Sequence, residues 1–291
     1  MIPVAFDYLK PSTVDDAVAA LTGAGDEAKV LAGGQSLLPV LRLRLAAPSL
    51  LVDLGGLAEL RGARLDGDTL VVGAMTTHAE VARSGLIRAE APLLAQAAET
   101  IGDRQVRHLG TFGGSLAHAD PSGDLAAVVL ALDGEYVVTG PGGRRSIPAA
   151  DFTVDYYTTA LAPGEILVEV RLPRRPGWGV RYEKFQRAAQ TWATVGVAAA
   201  VRRDNGSIAE ARVALTSMGP GPVRAGGVEA ALTGADATAE AVAGAAAHAA
   251  EGTQPVSNLA ASAEYREHMA RVLTRRAVAA AAGLSVPERG A

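Results

Sequence analysis

The sequence predicts an α+β fold with an N-terminal domain over residues 1–175 and a C-terminal domain over residues 178–291. Three observations predict it. Helices and strands alternate over residues 1–55, short strands and helices mix over residues 56–175, and an antiparallel meander followed by helices fills the remainder. A length of 291 residues is enough for about two domains of ordinary size.

The first subdomain, about residues 1–55, is predicted from its helix caps and breaks. Ser12 or Thr13 can cap a helix over residues 14–21, which Gly23 ends. A strand, a glycine turn, a second helix capped by Ser36 and a second strand follow. These elements span residues 29–32, 33–34, 37–45 and 50–54.

The second subdomain, about residues 56–175, mixes strands and helices around a glycine-rich segment. One strand and two helices come first, at about residues 69–73, 78–84 and 90–101. Residues 110–124 are rich in glycine and show no regular periodicity. A helix then runs from Asp124 to about Leu132, where Asp133 and Gly134 end it, and short strands continue to Leu172.

The C-terminal domain follows a boundary segment, Pro173 to Gly179, that contains two prolines, two glycines and two arginines. Three antiparallel strands are predicted at residues 180–185, 195–202 and 208–216. The turn Asp204-Asn205-Gly206 favours a hairpin between the last two. Helices at about residues 227–232, 238–250 and 262–282 complete the chain.

The composition excludes several classes of function. The 27 basic and 31 acidic residues give a net charge of −4, whereas a nucleic-acid-binding protein needs a basic face. Because the sequence has no cysteine, this chain carries no disulfide, thiolate nucleophile, Cys-ligated zinc or iron–sulfur cluster. The N-terminus lacks a signal-peptide pattern and no run of 18 apolar residues occurs, so we expect a cytoplasmic protein without a membrane span.

The first candidate site is a glycine turn between a strand and a helix, residues 32–36. Two glycines let the backbone approach a phosphate closely, and the start of the helix offers free N–H groups. The alternative is an ordinary tight turn, because a single glycine pair is a weak signal.

The second candidate site, residues 110–124, repeats this chemistry. Gly113 and Gly114 lie between the hydroxyl residues Thr111 and Ser115, and Asp124 begins a helix a few residues on. Two such loops in one domain are better explained by a site that binds a diphosphate from two sides than by two unrelated turns. His118, Asp120 and Asp124 fit no common metal-ligand spacing, so no metal site is expected.

The third candidate site is the segment 182–197, which contains Trp192, one of two tryptophans. A flat aromatic ring just before a strand of small apolar residues can pack against a planar cofactor. The alternative, which the residues alone favour, is an ordinary tryptophan buried between a sheet and helices.

These three segments resemble one known family. AGGQSLLP at residues 32–39, TFGGSLAHADPSGD at 111–124 and KFQRAAQTWATVGVA at 184–198 have the order and spacing found in the FAD-binding medium subunits of molybdenum hydroxylases. The resemblance covers essentially the whole chain and looks closest to the carbon monoxide dehydrogenases. It implies a two-subdomain FAD-binding fold of the vanillyl-alcohol-oxidase-like type, plus a C-terminal antiparallel sheet with helices.

The resemblance also implies which residues bind FAD. The diphosphate would lie on the two glycine loops, with the adenine beside the strand that precedes the first loop and the sugar portion beside Asp124. Ile101, Lys184 and Trp192 would lie near the flavin. The complete implied set is Lys29, Val30, Leu31, Ala32, Gly33, Gly34, Gln35, Ser36, Ile101, Thr111, Phe112, Gly113, Gly114, Ser115, Asp124, Lys184 and Trp192. Gln35, Ser115 and Thr191 depart from the residues common in the family at their positions.

The function that the resemblance implies is electron transfer within an oxidoreductase. A molybdenum-containing large subunit would oxidise the substrate, an iron–sulfur small subunit would pass electrons to FAD, and the flavin would pass them to an external acceptor. The complex would be a dimer of heterotrimers, associated with the inner face of the membrane only through its assembly. No side chain of this chain is expected to be catalytic. The alternatives are a stand-alone FAD oxidase of the same fold and a non-redox module that binds a diphosphate ligand.

Overall fold

The computed structural model describes residues 2–285, so the last six residues of the predicted C-terminal domain, 286–291, lie outside it. The N-terminal subdomain is a parallel sheet of order β1-β3-β2 with helix α1 packed against it. Its elements are β1 Asp7–Leu9, α1 Val14–Ala24, β2 Ala28–Leu31, α2 Leu37–Arg42 and β3 Leu50–Asp53.

Two helix ends in this subdomain differ from the prediction. Thr13, one of the two predicted N-caps, caps α1 by accepting a hydrogen bond from the Asp16 N–H. The helix does not end at Gly23 as predicted but continues to Ala24. It ends at Gly25, which adopts a φ of +55° that suits glycine. Helix α2 ends at Arg42 rather than residue 45 because Arg44 takes a positive φ of 58°.

The second subdomain is built on an antiparallel sheet of order β4-β5-β10-β6-β7. Its strands are β4 Ala63–Asp66, β5 Thr69–Gly73, β6 Glu135–Gly140, β7 Gly143–Pro148 and β10 Ile166–Pro173, with a small hairpin of β8 Thr153–Asp155 and β9 Thr158–Thr159. Its helices are α3 His78–Arg83, α4 Gly85–Glu90, α5 Pro92–Glu99, α6 Arg104–Leu109, α7 Phe112–His118, α8 Asp124–Ala131 and α9 Ala149–Phe152.

One prediction for this subdomain is confirmed and one is wrong. The helix expected at about residues 90–101 is α5, which begins at Pro92, a residue suited to the first turn of a helix. The glycine-rich segment contains helix α7, which periodicity did not indicate. An added Cβ at Gly113 would lie 2.4 Å from the Cβ of Ala74, so this helix needs its glycine in order to pack against the end of β5.

The C-terminal domain is an antiparallel sheet of order β11-β12-β13-β14 followed by helices. Its elements are β11 Gly179–Phe185, β12 Val195–Asp204, β13 Ser207–Thr216, β14 Val223–Arg224, α10 Gly226–Leu232, α11 Ala239–Ala246 and α12 Ala263–Ala281. The predicted hairpin is confirmed: Asp204 pairs with Ser207 across Asn205 and Gly206, both of which have positive φ.

The C-terminal sheet is buried on both faces, and this fixes its place in the molecule. On one face the small side chains of Ala198, Ala200 and Ala214 join the core that contains helix α8 of the second subdomain. On the other face Val197 and Val213 pack with helix α12. The sheet therefore lies between the second subdomain and the helices of its own domain, and the start of α8 faces the edge strand β11.

Candidate functional site

The two glycine loops predicted from the sequence lie against each other. An added Cβ at Gly33 would lie 2.2 Å from the carbonyl oxygen of Leu109 and 2.7 Å from the Cα of Gly110. An added Cβ at Gly114 would lie 3.2 Å from the Cβ of Ala32. The backbone of the first loop thus packs directly on the segment that leads into the second, and a side chain at Gly33 would separate them.

The first loop presents a row of main-chain donors. Within residues 2–285, the N–H groups of Gly33, Gly34, Gln35 and Ser36 have no hydrogen-bond acceptor. Gly34 has a φ of +72°, which lets the chain turn from β2 into α2. The Ser36 side chain does not cap α2, contrary to the prediction, so its hydroxyl is also available to a ligand. This is the donor pattern that binds an anion such as a diphosphate.

The strand that leads into this loop is open to solvent on one side. Lys29 is exposed, and Val30, Leu31 and Ala32 are half-buried. They lie next to the loop along the chain and can be reached by a ligand bound to it.

The second loop uses its donors internally. The N–H groups of Phe112 and Gly113 donate to Thr76 and Ala74, both at 2.8 Å, and that of Gly114 donates to Oγ1 of Thr111 at 3.1 Å. Hydrogen bonding within the protein therefore fixes this loop. The side chain of Phe112 is fully buried in the core, so only its main chain can face a ligand. Ser115 is half-buried, and its hydroxyl donates to the Phe112 carbonyl at 2.9 Å.

A charged cluster joins the two domains at the start of helix α8. Asp124 is the first residue of α8, and its Oδ2 lies 2.9 Å from Nζ of Lys184 on β11. The hydroxyl of Tyr182 donates to Oδ1 of Asp124 at 2.6 Å. The side chains of Lys184 and Asp124 are only 4% and 3% exposed, so this is a buried ion pair with a third polar partner.

Burial dominates the electrostatics of this cluster. Loss of water raises the pKa of Asp124, while the ammonium of Lys184 and the hydroxyl of Tyr182 oppose that shift. Burial and the Asp124 carboxylate raise the pKa of Tyr182 well above 10, so it stays a hydrogen-bond donor. The carboxylate therefore depends on its two partners to remain charged.

Lys184 also reaches the segment that holds Ile101. Its Nζ donates to the Thr100 carbonyl at 3.2 Å, and the Ile101 carbonyl accepts from Arg107 at 2.8 Å. The structure thus brings together three of the predicted residues, Ile101, Asp124 and Lys184, from three separate parts of the sequence.

Trp192 lies elsewhere, on the loop between β11 and β12. Its side chain is 53% exposed, so the alternative of a buried packing tryptophan is wrong. The loop is closed by a 2.9 Å bond from the Thr191 hydroxyl to the Ala188 carbonyl, and the Ala193 carbonyl accepts from Ser217 at 2.7 Å. The ring is free to pack on a ligand, but it contacts neither glycine loop.

Sequence reasoning gave Tyr182 no role, although this residue begins the third candidate segment, and it missed Thr216. Tyr182 and Lys184 are two apart on one strand and so point to the same face, a spacing that could have indicated a shared role. Thr216 lies at the end of β13, and its hydroxyl is within 2.9 Å of the carbonyl oxygens of Pro121 and Gly123. No local pattern in the sequence marks that contact.

Residues 2–285 contain neither a metal-ligand cluster nor a membrane-spanning helix. In residues 2–285 no three histidine, aspartate or glutamate side chains come together as metal ligands. No helix in that range combines the length and the apolar character that crossing a membrane requires.

Free main-chain donors on one glycine loop, with a second glycine loop packed against it, are the features of a protein that binds a diphosphate-containing cofactor. The chain belongs to the family described as the FAD binding domain in molybdopterin dehydrogenase, which matches residues 4–175. Residues 180–281 match the family described as the CO dehydrogenase flavoprotein C-terminal domain.

The chain is similar to characterised proteins over nearly its whole length. It is 42% identical to the carbon monoxide dehydrogenase medium chain of Hydrogenophaga pseudoflava, over 97% of this chain and 98% of that one. It is 37% identical to the 6-hydroxypseudooxynicotine dehydrogenase complex subunit alpha of Paenarthrobacter nicotinovorans, over 97% and 96%. The solved carbon monoxide dehydrogenase from Hydrogenophaga pseudoflava that lacks the Mo-pyranopterin moiety matches with a TM-score of 0.94 at 44% identity, covering 97% of this chain and 98% of that chain.

These matches confirm three predictions. The fold is the two-subdomain FAD-binding fold with a C-terminal antiparallel sheet and helices, the cofactor is FAD, and the protein is an FAD-containing oxidoreductase subunit.

Proposed function

We propose that FAD binds where the two glycine loops meet, with its diphosphate on the N–H groups of residues 33–36. The observation that carries this proposal is the row of four donors without acceptors beside a glycine that packs on the neighbouring backbone. A diphosphate needs such donors, and a lysine is not required when several N–H dipoles share its charge. The whole residue set that the resemblance implies is proposed to bind FAD. Lys184 and Trp192 belong to the domain over residues 178–291, and the other residues belong to the domain over residues 1–175.

Residues of this chain would bind and orient the cofactor, and none would act as a general acid or base. Bound FAD supplies the redox chemistry, since a flavin accepts and releases electrons. Lys184 would hold a buried positive charge beside the Thr100–Ile101 segment, and the exposed ring of Trp192 would pack on the flavin from the C-terminal domain.

We propose that the protein is the electron-transfer subunit of a molybdenum hydroxylase. It would take electrons from an iron–sulfur small subunit, and a molybdenum-containing large subunit would oxidise the substrate. The flavin would pass the electrons to an external acceptor. The absence of cysteine from the sequence supports this division, because thiolate-bound clusters must then lie on a partner. The proposed assembly is a dimer of heterotrimers in the cytoplasm, associated with the inner face of the membrane through its partners.

Carbon monoxide is the substrate that we propose for the complex. The support is that the 42% identical relative is a carbon monoxide dehydrogenase medium chain, whereas the 6-hydroxypseudooxynicotine dehydrogenase complex subunit alpha is 37% identical. The second candidate is a hydroxylase of an N-heterocyclic compound, which that second relative favours.

The proposed electron path can be tested by removing and restoring FAD in the purified complex. Substrate should reduce the iron–sulfur clusters in both the FAD-free and the FAD-loaded complex, while transfer to an external acceptor should require FAD. Transfer that continues at the full rate without FAD would contradict the proposed role. Supplying carbon monoxide and an N-heterocycle in separate assays tests the substrate.

A further inference from the structure

The buried cluster of Asp124, Tyr182 and Lys184 is more elaborate than a contact with a cofactor requires. Both carboxylate oxygens already bind protein partners, at 2.6 Å and 2.9 Å, and the ammonium has a second acceptor in the Thr100 carbonyl. All of these partners come from the C-terminal strand β11 on one side and from the FAD domain on the other. The cluster therefore connects the two domains through Asp124 and Lys184, both of which belong to the proposed FAD-binding set.

We infer that Tyr182 is a positioning residue that holds Lys184 in place through Asp124, beside the segment that contains Ile101. This inference rests on the proposed placement of FAD. The hydroxyl of Tyr182 touches neither glycine loop, so its effect on the cofactor passes through the carboxylate and the ammonium.

A glycine on the neighbouring strand leaves the space that the Tyr182 hydroxyl occupies. An added Cβ at Gly196, on the neighbouring strand β12, would lie 2.6 Å from that oxygen and 2.6 Å from Cγ2 of Thr216. Any larger residue at position 196 would displace the phenol from Asp124. The Tyr182 N–H is also fixed, because it donates to the Gln96 side chain of helix α5 at 3.1 Å.

The start of helix α8 is held independently. The Thr216 hydroxyl lies 2.8 Å from the Gly123 carbonyl and the Ser217 N–H donates to the Pro121 carbonyl at 2.8 Å. The backbone at Asp124 therefore stays in place when the Tyr182 hydroxyl is removed. What changes is the charge of the carboxylate and the position of the lysine.

The charge of Asp124 gives the inference a specific signature. The titratable groups that face it are Lys184 and Tyr182 on β11, while Gln96 on α5 and Thr216 on β13 are neutral. Burial already raises the pKa of Asp124, and loss of a donor to the charged form raises it further. A protonated Asp124 no longer pairs with the ammonium, so Lys184 is released from its position beside the Thr100–Ile101 segment at a higher pH.

The test compares Tyr182→Phe with Tyr136→Phe in the full-length protein loaded with FAD. Tyr136 is a matched control, because it is also a buried tyrosine but stacks on Phe152 in the second subdomain, away from the cluster. FAD release is followed by flavin fluorescence as the pH is lowered, and the melting temperature is measured in parallel. The Tyr182→Phe midpoint should move up by about one pH unit, as expected for loss of one hydrogen bond to a charged group. The Tyr136→Phe midpoint should equal that of the wild type.

Two results would overturn the inference: coincident release curves for Tyr182→Phe and the wild type, or an equal shift in Tyr136→Phe. If Tyr182→Phe does not fold, Asp124→Asn replaces it. Asp124→Asn keeps the size of the side chain but cannot titrate, so the acid-dependent part of FAD release should disappear, and an unchanged profile would overturn the inference. Failure of the wild-type protein to bind FAD through the glycine loops would instead contradict the proposed function, and a Gly33 variant separates the two cases.

Discussion

Gly33→Ala tests the geometry of the proposed FAD site most sharply. The new Cβ would lie 2.2 Å from the Leu109 carbonyl oxygen, whereas ordinary contacts begin at 3.4 Å, so the two loops must separate by 3.4 − 2.2 = 1.2 Å. Both sides of this contact are backbone, which cannot rotate away as a side chain can. A displacement of that size should cost the diphosphate at least one charge-assisted hydrogen bond, or about 1.5–3 kcal/mol. FAD should therefore bind about 10- to 150-fold more weakly.

The assay is titration of the apoprotein with FAD, followed by quenching of flavin fluorescence, with thermal unfolding of each variant as a check on folding. Gly23→Ala is the control, because it lies in helix α1 of the same subdomain with no atom within 4 Å of the added Cβ. It should leave FAD affinity unchanged and stabilise the helix by about 0.5–1 kcal/mol. A Gly33→Ala protein that folds and binds FAD as tightly as the wild type would refute the reasoning.

Three further substitutions follow from the packing and the charges. Trp192→Ala should change the melting temperature little, because the side chain is 53% exposed, but it should alter the rate of flavin reduction. A decrease of about 3–5 kcal/mol in the free energy of unfolding would show instead that the ring is buried. Burial alone would raise the pKa of Asp133, but hydrogen bonds from Arg224 and Arg212 lower it. Asp133→Asn should therefore reduce the free energy of unfolding by about 1 kcal/mol at pH 7 after solvent screening. That difference should vanish in denaturant titrations as the pH falls below 3.8, and a constant difference would contradict the assignment. Burial, and then Arg107, lower the pKa of His78 to about 4 from 6.5, so folded His78 stays neutral while the unfolded chain takes up a proton. Wild-type stability should therefore fall by up to about 3 kcal/mol between pH 6.5 and 4, and His78→Leu should lack that part of the slope.

Local signals in the sequence predicted the C-terminal sheet well. The hairpin at Asn205-Gly206 follows from residues that tolerate positive φ, and the flanking strands contain runs of small and β-branched residues. Strand β1 was missed because it has three exposed residues and owes its strand conformation to parallel pairing with β3. Helix α7 was missed because two adjacent glycines lower its intrinsic propensity, and packing on Ala74 overrides that preference.

The sequence predicted which kind of ligand the site binds, but not how its residues are arranged in space. The glycine pairs indicated a diphosphate-binding region, yet only the structure shows that residues 33–36 hold the free donors while residues 112–114 use theirs internally. Asp124 and Lys184 are 60 residues apart, and no local pattern states that they pair. The exposure of Trp192 was likewise hidden, because a single aromatic residue before an apolar strand fits both a core and a surface position.

The most direct test of the electron-transfer account is the visible absorbance of the flavin on addition of substrate, with and without partner subunits. In the purified complex, carbon monoxide should bleach the FAD, and metal analysis should assign molybdenum and iron to the other two chains. The isolated chain should retain FAD, contain neither metal and show no bleaching with the same substrate. Substrate-dependent bleaching of FAD in the isolated chain would contradict the account and favour a stand-alone oxidase.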